Sequence, residues 1–278
     1  MTDHDWLDVT DHPTHTVLTL QREDVMNALT PAMVGDLDAA LRSAATRRSC
    51  RAIVLTGVGR GFCVGIDVKE VAARDAGAGA DGVDPLMAGF ENLHHRLSAV
   101  IRTIHSLPVP VIAAINGHAI GLGFALAAAC DMRIAAPGAT FADGFIRRGI
   151  SGCELGLSYF LPHIVGPTLA HELMLTGRRI DAEEALAVGL VTRVTDDLGA
   201  AAEELVAQLA ANAPAAVSMT KEVMWANLHA ASLDQALALE ARTQLLLRAT
   251  GDAREARTAF LEKRAPDFGD PPGERPLR

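Results

Sequence analysis

The sequence predicts an α/β fold, in which repeated strand–strand–helix units form one domain that continues into a helical C-terminal extension. Two patterns support this class. Short β-branched or alternating apolar runs recur between helical segments in the first part of the chain, and from Thr168 onward nearly every segment has helical periodicity. Composition agrees, because 49% of the 278 residues are hydrophobic and 21% are charged, as expected for a globular protein with a large core.

The first part of the chain supplies the predicted strands. Leu7–Val9 and Thr16–Leu20 alternate between polar and apolar residues, as in an antiparallel pair. Arg51–Gly57 and Val111–Ile115 are apolar runs typical of buried strands, and Met132–Ala135 is a further strand. These five segments are expected to form the sheet structure of the domain.

Helices separate these strands and then follow them. Thr30 suits an N-cap and Pro31 suits the first helical position, so a helix is predicted to begin there. A longer helix over Leu86–Ser106 ends before Pro108 and follows a predicted mobile surface loop at Arg74–Pro85. Further helices are predicted over Gly121–Cys130, Thr168–Thr176, Ala182–Val188, Leu198–Asn212, Pro214–Asn227, Leu233–Ala249 and Asp252–Lys263.

Composition and charge argue against several classes of protein. The net charge of −9 and the lack of a Lys/Arg-rich stretch disfavour nucleic-acid binding. The four cysteines show no CxxC pair or disulfide spacing, so buried reduced thiols in a cytoplasmic protein are expected. The most apolar stretch, Val109–Cys130, is interrupted by glycine and asparagine and does not suit a membrane span. Histidines such as His94, His95 and His163 form no metal-ligand pattern, so no metal is expected.

Two glycine-containing loops after buried strands are the main functional signals. Arg60–Val68 reads RGFCVGIDV, and Asn116–Gly123 reads NGHAIGLG. Glycines at a strand exit let the backbone turn and expose N–H groups, and the second loop adds the positive end of the next helix. One such loop is explained equally well by a tight turn, but two in succession suit an oxyanion hole with one donor from each. A phosphate-binding P-loop is disfavoured because no Gly-Lys-Ser/Thr follows.

The residues around both loops resemble the enoyl-CoA hydratase/isomerase (crotonase) superfamily. GFCVGIDV is similar to the family's small residues before Gly-x-Asp-Ile/Leu, and PVPVIAAINGHAIGLGFALAAACDMRIAA is similar to its Asn-Gly and triple-glycine core. The similarity continues at Asn27–Leu29, Leu175–Gly177, Glu184–Val191 and Ala259–Arg264. The resemblance implies a crotonase-like repeated ββα spiral. Residues 1–200 would form the acyl-CoA-binding core, and residues 201–278 a C-terminal helical trimerisation region.

The resemblance also assigns the oxyanion hole. The thioester oxygen of an acyl-CoA would accept hydrogen bonds from the N–H groups of Ile66 and Leu122. Such donors are worth about 2.7–4 kcal/mol each when they are aimed at charge that develops in the transition state. Leu122 stands where most members have a glycine, so its side chain must find room at the floor of the pocket.

The nucleotide of coenzyme A is assigned to two places by the same resemblance. Its adenine end would lie along Val64, Gly65 and Asp67. Phe260 and Lys263 match residues that reach the nucleotide of a neighbouring subunit, although Lys263 suits an ordinary solvated cation equally well. A homotrimer or a dimer of trimers is therefore implied. Coenzyme A is part of the substrate, so no separate cofactor is expected.

Both glutamates that hydratases of the family use are replaced in this alignment. Ala125 and Phe145 occupy the two positions, and neither side chain can carry a proton. Glu154 is the expected catalytic acid, because its position resembles the acid of dienoyl-CoA isomerases and the nucleophile of 4-chlorobenzoyl-CoA dehalogenases. The alternative is that Glu154 caps the following helix. Asp143 is a second candidate, although Ala-Asp-Gly is also typical of a turn.

Several functions remain open on this evidence. The leading hypothesis is an enoyl-CoA isomerase in which Glu154 moves a proton between carbons of the acyl chain. A chain with these motifs also resembles proteins named enoyl-CoA hydratase. Glu154 could instead act as a nucleophile in hydrolysis or substitution. The remaining hypothesis is a protein that binds acyl-CoA without catalysis.

Overall fold

The computed structural model describes residues 5–67, 69 and 85–268. Residues 74–84 of the predicted mobile loop lie outside this part of the chain, and Pro85 begins a helix. The strands are β1 (Leu7–Asp11), β2 (His15–Leu20), β3 (Ala52–Gly57), β4 (Gly61–Cys63), β5 (Val111–Ile115), β6 (His118–Ile120), β7 (Met132–Ala135), β8 (Thr140–Ala142), β9 (Ile180–Asp181) and β10 (Arg193–Val194). All five predicted strands are present.

The helices are α1 (Pro31–Thr46), α2 (Pro85–Ser106), α3 (Leu122–Ala129), α4 (Leu157–Val165), α5 (Pro167–Thr176), α6 (Ala182–Ala187), α7 (Leu198–Ala210), α8 (Pro214–Asn227), α9 (Leu233–Arg248) and α10 (Gly251–Glu262). Thr30 caps α1 as predicted, because its Oγ1 accepts a hydrogen bond from the Met33 N–H at 3.3 Å. Helix α4 is the helix expected after Glu154, and its bounds were not predicted from the sequence. Among the helices that the structure describes, none has the length and apolar content needed to cross a bilayer.

Two sheets and the helices between them form a spiral of repeated units. The larger sheet has the order β1-β2-β3-β5-β7-β10, and the smaller has the order β4-β6-β8-β9. Strands β1 and β2 are antiparallel, whereas β2, β3, β5, β7 and β10 run parallel. Each turn of the spiral places one strand in each sheet and then a helix: β3–β4–α2, β5–β6–α3 and β7–β8–α4. The predicted ββα spiral with a helical C-terminal extension is confirmed.

The two glycine-containing segments are more regular than predicted. The sequence suggested plain loops, but Gly61–Cys63 and His118–Ile120 are parallel neighbours in the smaller sheet. Strand β8 then pairs with His118–Ile120 on its other side. The loop prediction was wrong for these residues because a three-residue strand is too short to show a periodic pattern.

The larger sheet is covered on both faces, as its apolar strands require. Ile53 and Leu55 of β3 face the main core, which contains Leu37 of α1 and Ile104 of α2. The alternate β3 residues Ala52 and Val54, with Ile112 and Ile134, form a second cluster with Ala201, Ala202 and Val206 of α7. Helix α7 therefore packs directly on the sheet. The division of the chain at residue 200 stays a prediction.

A buried ion pair attaches α8 to the sheet domain. The Lys221 Nζ lies 2.7 Å from Asp131 Oδ2, and the two side chains are 7% and 13% exposed. Lys221 also donates to the carbonyl oxygens of Ile104 at 2.9 Å and Val109 at 3.3 Å. Removing one partner of a buried pair typically costs about 3–5 kcal/mol of stability, because the other charge is left uncompensated.

The cysteines differ from the prediction at one position. Cys50, Cys63 and Cys130 are buried free thiols, but Cys153 is exposed. Burial raises the pKa of Cys63 and of Cys130 to about 12 and raises the pKa of Cys50. The exposure of Cys153 follows from its place in the loop before α4, which the apolar pattern did not reveal.

The first turn of α3 packs backbone to backbone on β4. A Cβ added to Gly123 would overlap the carbonyl oxygen of Cys63. The glycine is therefore required for close approach, and not only for exposure of N–H groups as the sequence suggested. This contact sets the distance between α3 and the end of β4.

We expect Gly123→Ala to lower the free energy of unfolding by about 3 kcal/mol or more, because the methyl group meets rigid backbone. Gly138→Ala is the matched control, since its added Cβ would have nothing within 4 Å, and it should change stability by less than about 0.5 kcal/mol. Urea denaturation at equal protein concentration measures both. Equal stability of the two variants would contradict this account. If Gly138→Ala folds and Gly123→Ala does not, the result would agree with it.

Candidate active site

The first predicted donor lies in a segment that is fixed on both sides. Gly65 has φ of 103°, a left-handed conformation that favours glycine. Its carbonyl oxygen accepts from the Leu29 N–H at 2.9 Å, and the Asp67 N–H donates to the Leu29 carbonyl at 2.9 Å. The Ile66 N–H between them has no acceptor in the part of the chain that the structure describes. The backbone therefore holds this N–H in place and leaves it available.

The second predicted donor is the first residue of α3. Helix N-termini leave their first N–H groups without intrahelical acceptors, and no acceptor for the Leu122 N–H lies within the described residues. A Cβ added to Gly65 would lie 3.6 Å from this nitrogen. The structure thus brings the two predicted donor segments side by side. The Leu122 side chain is fully buried in the main core.

Two asparagine side chains support the donor segments, and sequence analysis did not assign them this role. The buried Asn27 donates through Nδ2 to the carbonyl oxygens of Val58 at 3.0 Å and Gly61 at 2.6 Å. Asn116 Nδ2 donates to the same Gly61 oxygen at 2.9 Å, and Asn116 Oδ1 accepts from the Gly57 N–H at 3.1 Å. Both amides therefore fix the turn that leads into β4.

The segment predicted to hold the adenine end carries an ion pair. Both terminal nitrogens of the Arg22 guanidinium lie 3.2 Å from Asp67 Oδ2, and Arg22 also donates to the Ala28 carbonyl at 2.6 Å. The half-buried Val64 donates its N–H to the Met26 carbonyl at 3.2 Å. Arg22 was missed from the sequence. Its charge offsets the Asp67 carboxylate, which would otherwise repel a phosphate group.

The C-terminal residues predicted to reach a nucleotide lie on the surface of the single chain. Phe260 is 81% exposed. Lys263 is also exposed and follows α10 with φ of 54°. Their proposed contact with the nucleotide of a neighbouring subunit stays a prediction.

Neither of the two residues at the predicted hydratase-acid positions can titrate. Ala125 is fully buried within α3. Phe145 is half-buried, and its ring lies 3.6–3.7 Å from the position of a Cβ added to Gly121. The aromatic ring therefore covers the residue that directly precedes Leu122.

Glu154 lies in a constrained loop and contacts a histidine. The next two residues, Leu155 and Gly156, have φ of 51° and 78°, and Leu155 is a non-glycine residue in the left-handed region, a strained conformation that clusters at functional sites. Glu154 Oε1 lies 2.8 Å from His94 Nδ1 of α2, and its side chain is 21% exposed. Helix α4 begins after Gly156 without a side-chain cap. The described Glu154 side chain thus contacts His94 and shows no hydrogen bond to the N–H groups of this helix, and sequence analysis did not identify His94 as its partner.

Asp143 is fully buried beside the loop that carries Glu154. Its Oδ1 accepts from the Phe145 N–H at 3.0 Å, and Oδ2 has no partner among the residues that the structure describes. Burial raises the pKa of Asp143, and hydrogen bonds from the Phe145 and Ile146 backbone oppose this rise. A Cβ added to Gly152 would overlap Oδ2. Asp143 therefore packs against Gly152, whose carbonyl accepts from the Glu154 N–H at 2.9 Å.

Comparison with known proteins identifies the family that shares this arrangement. The model of the family described as enoyl-CoA hydratase/isomerase matches residues 14–271. The chain belongs to this family. Like its relatives, this enoyl-CoA hydratase/isomerase family member is an acyl-CoA enzyme.

Individual relatives agree over nearly the whole chain. A "Probable enoyl-CoA hydratase" of Mycobacterium tuberculosis is 38% identical, over 94% of this chain and 92% of its own length. The 1,2-epoxyphenylacetyl-CoA isomerase of Escherichia coli is 33% identical, over 90% of this chain and 93% of its own. The crystal structure of an enoyl-CoA hydratase from Mycobacterium smegmatis matches with a TM-score of 0.85 and 32% identity, covering 96% of this chain and all of that one.

The buried Asp143 of this family member should make stability depend on pH. Its folded-state pKa lies above the ordinary value of 3.8. The wild-type free energy of unfolding therefore falls as the pH rises from the ordinary pKa to the folded-state pKa. Asp143→Asn keeps the size of the side chain and removes the ionisation. We therefore expect the stability of the variant, relative to wild type, to be higher at about pH 7 than at about pH 4.

Urea denaturation at the two pH values tests this expectation. Asp196→Asn at an exposed site is the control for loss of a carboxylate from the surface. A relative stability of Asp143→Asn that does not change between the two pH values would contradict the account.

Proposed function

We propose that this enzyme is an enoyl-CoA isomerase in which the Glu154 carboxylate moves a proton between two carbons of the acyl chain. The observation that carries the proposal is the Glu154–His94 contact of 2.8 Å. It holds a partly buried carboxylate in one orientation, in the loop next to the segment of Phe145 and Asp143. Isomerisation needs one base that reaches both carbons, and it needs no activated water.

The backbone donors would stabilise the intermediate of this reaction. When Glu154 removes a proton from the α-carbon, negative charge spreads onto the thioester oxygen. The Ile66 and Leu122 N–H groups would donate to that oxygen, each contributing about 2.7–4 kcal/mol to transition-state stabilisation. The protonated Glu154 then returns the proton to the γ-carbon, so the double bond moves and no atom is gained or lost.

His94 would act as a positioning residue for Glu154. A carboxylate oxygen can only accept, so the His94 Nδ1–H donates to Oε1 and leaves Oε2 free for the proton transfer. A hydrogen bond to a charged group is also stronger than one between neutral groups. The orientation of the carboxylate would then persist while substrate enters.

The surroundings favour isomerisation over hydration. The resemblance places the two hydratase acids at Ala125 and Phe145, and neither side chain can activate water. The E. coli relative at 33% identity is named as an isomerase of an acyl-CoA. Other relatives are named as hydratases, so measurement of both reactions is the decisive comparison.

The same contact supports a second candidate, hydrolysis of the thioester. Glu154 would attack the carbonyl carbon, the C–S bond would break, and coenzyme A would leave as its thiolate. Water would then cleave the resulting anhydride to give the free acid and the Glu154 carboxylate, and the coenzyme A thiolate would take up the second proton of the water. This candidate predicts release of free coenzyme A, whereas isomerisation releases none.

We expect Glu154→Gln to lower isomerase turnover at least about 100-fold, because general acid–base catalysis is lost while size and hydrogen bonding are kept. Turnover is measured on a panel of 3-enoyl-CoA substrates of increasing length, with product identity and free thiol followed in the same reactions. Affinity for a saturated acyl-CoA should change little. Glu183→Gln, at an exposed site on α6, is the control.

Three outcomes would contradict the proposal. Full activity of Glu154→Gln would exclude Glu154, and Asp143 would become the candidate acid. Hydration of crotonyl-CoA at about 10 per second or more would identify an effective hydratase. Binding of acyl-CoA without any turnover of the panel would indicate a non-catalytic binding protein.

We further propose that the C-terminal helices bind other copies of this chain in a homotrimer or a dimer of trimers. Large apolar side chains on these helices are exposed in the single chain, with exposed fractions of 72% for Leu245, 81% for Phe260 and 74% for Leu261. Monomeric proteins rarely leave such a group uncovered. The family resemblance supports a second copy of this chain as the partner that would cover it.

Light scattering of the wild-type protein at micromolar concentration should give the mass of three or six chains. Leu245→Glu should reduce that mass and weaken acyl-CoA binding, because Phe260 and Lys263 would no longer reach a neighbouring site. Gln244→Glu places the same charge next to it without removing apolar surface, and should keep the assembly. A monomeric wild-type protein would contradict the proposal.

A further inference from the structure

We propose that His12, His15 and Glu203 form a binding site for a divalent transition-metal ion such as Zn²⁺, separate from the acyl-CoA site. One ligand atom from each residue lies within 4.8 Å of the other two. Two imidazoles and one carboxylate are a donor set that Zn²⁺ commonly takes, with the fourth position left to water. The sequence showed no such pattern because Glu203 lies far along the chain from the two histidines.

One pair of ligands already has the separation that a metal requires. Bonds of about 2.0–2.2 Å to a tetrahedral Zn²⁺ place neighbouring ligand atoms about 3.4 Å apart. The distance from His15 Nε2 to Glu203 Oε1 is 3.2 Å. An ion would therefore replace their direct contact with little movement of either side chain.

The third ligand needs a rotation of one ring. The His12 ring stacks on the His15 ring with centroids 4.3 Å apart and an interplanar angle of 5°. Two parallel rings cannot both direct a nitrogen at one ion, because the ion must lie in the plane of each. His12 is only half-buried in the turn between β1 and β2, and rotation about its Cβ–Cγ bond has a broad energy minimum. Its nitrogen can therefore turn toward the other two ligands.

The environment of His15 favours ligation by a neutral imidazole. His15 is 2% exposed, and its Nδ1 has no hydrogen-bond partner in the described part of the chain. Nε2 is the atom that faces Glu203, so a neutral His15 ring can bind the ion through Nε2 while Nδ1 carries the remaining ring proton.

Two further charged groups face the same turn. The Arg47 guanidinium donates to Asp11 Oδ1 and to the His12 carbonyl oxygen, the latter at 2.7 Å. The Asp11 carboxylate therefore offsets the charge of Arg47 next to the site. Glu203 supplies the negative charge that a divalent cation requires.

The site would join two elements on the face of the large sheet that α7 covers. His12 and His15 belong to the β1–β2 hairpin, and Glu203 is carried by α7. Helix α7 packs on the cluster of Ala52, Val54 and Ile112, whereas Leu122 belongs to the core on the opposite face. A bound ion would stabilise the attachment of the helix, by linkage of binding to folding, without contacting the catalytic loops.

The full-length protein, freed of metal with a chelator, is titrated with ZnCl₂ alone by calorimetry and by thermal unfolding. We expect one Zn²⁺ per chain and a rise in Tm that saturates at that ratio. His12→Asn and Glu203→Gln should each weaken binding at least about tenfold, since even loss of a group that only supports a ligand costs 10–100-fold. Turnover of acyl-CoA by wild type should be the same with and without the ion.

His171→Asn and Glu204→Gln are the controls, because both residues are exposed and Glu204 lies next to Glu203 on α7. Far-UV circular dichroism confirms that each variant is folded before the titration. Absence of saturable Zn²⁺ binding by the wild type would overturn the proposal. Binding that is equal in the His12 and Glu203 variants and in the controls would also overturn it.

Discussion

The close packing of α3 on β4 is the constraint on which the arrangement of the two proposed donor segments depends. Gly123 meets the Cys63 carbonyl with no space for a side chain, so the start of α3 can lie this close to the end of β4 only because residue 123 is a glycine. Leu122 directly precedes Gly123, and Ile66 lies three residues after Cys63. Backbone hydrogen bonds on both sides of Ile66 and the amides of Asn27 and Asn116 hold these segments in place. Donors fixed in this way need no reorganisation when charge develops on a substrate oxygen, which is the main source of their catalytic value. The Leu122 side chain is fully buried in the main core, which provides the room that the resemblance required for a leucine at this position.

A second set of packing contacts connects Glu154 to the segment around Gly121. The Phe145 ring lies against Gly121, Asp143 lies against Gly152, and Gly152 accepts the Glu154 N–H. The proposed base is therefore connected to the oxyanion segment through two short loops. Asp143 in this set of contacts carries a cost in stability, because ionisation of a buried carboxyl is unfavourable. Leu155, in the loop that carries Glu154, also has a strained backbone conformation. Strain of this kind is common at functional sites.

Much of the fold can be predicted from the sequence, because the relevant signals are local. The apolar run at Val111–Ile115 and the cap at Thr30 each specify their own conformation, and both are confirmed. The motifs also indicated the segments of Ile66 and Leu122, which lie side by side in the structure, while their role as donors stays a prediction. Strand β4 and His94 could not be predicted, for different reasons. A three-residue strand has no period to detect, and the contact of His94 with Glu154 depends on how α2 is rotated against a loop 60 residues away. Tertiary packing alone decides such a rotation.

The exposed thiol of Cys153 is a site at which the native protein can be labelled chemically. Cys50, Cys63 and Cys130 are buried, and burial raises the pKa of each, so their reactive thiolate forms are suppressed. A maleimide dye should therefore modify Cys153 selectively in the native enzyme, without prior mutagenesis. Because Cys153 directly precedes Glu154, fluorescence from that dye would report on the loop that carries the acid while ligands bind.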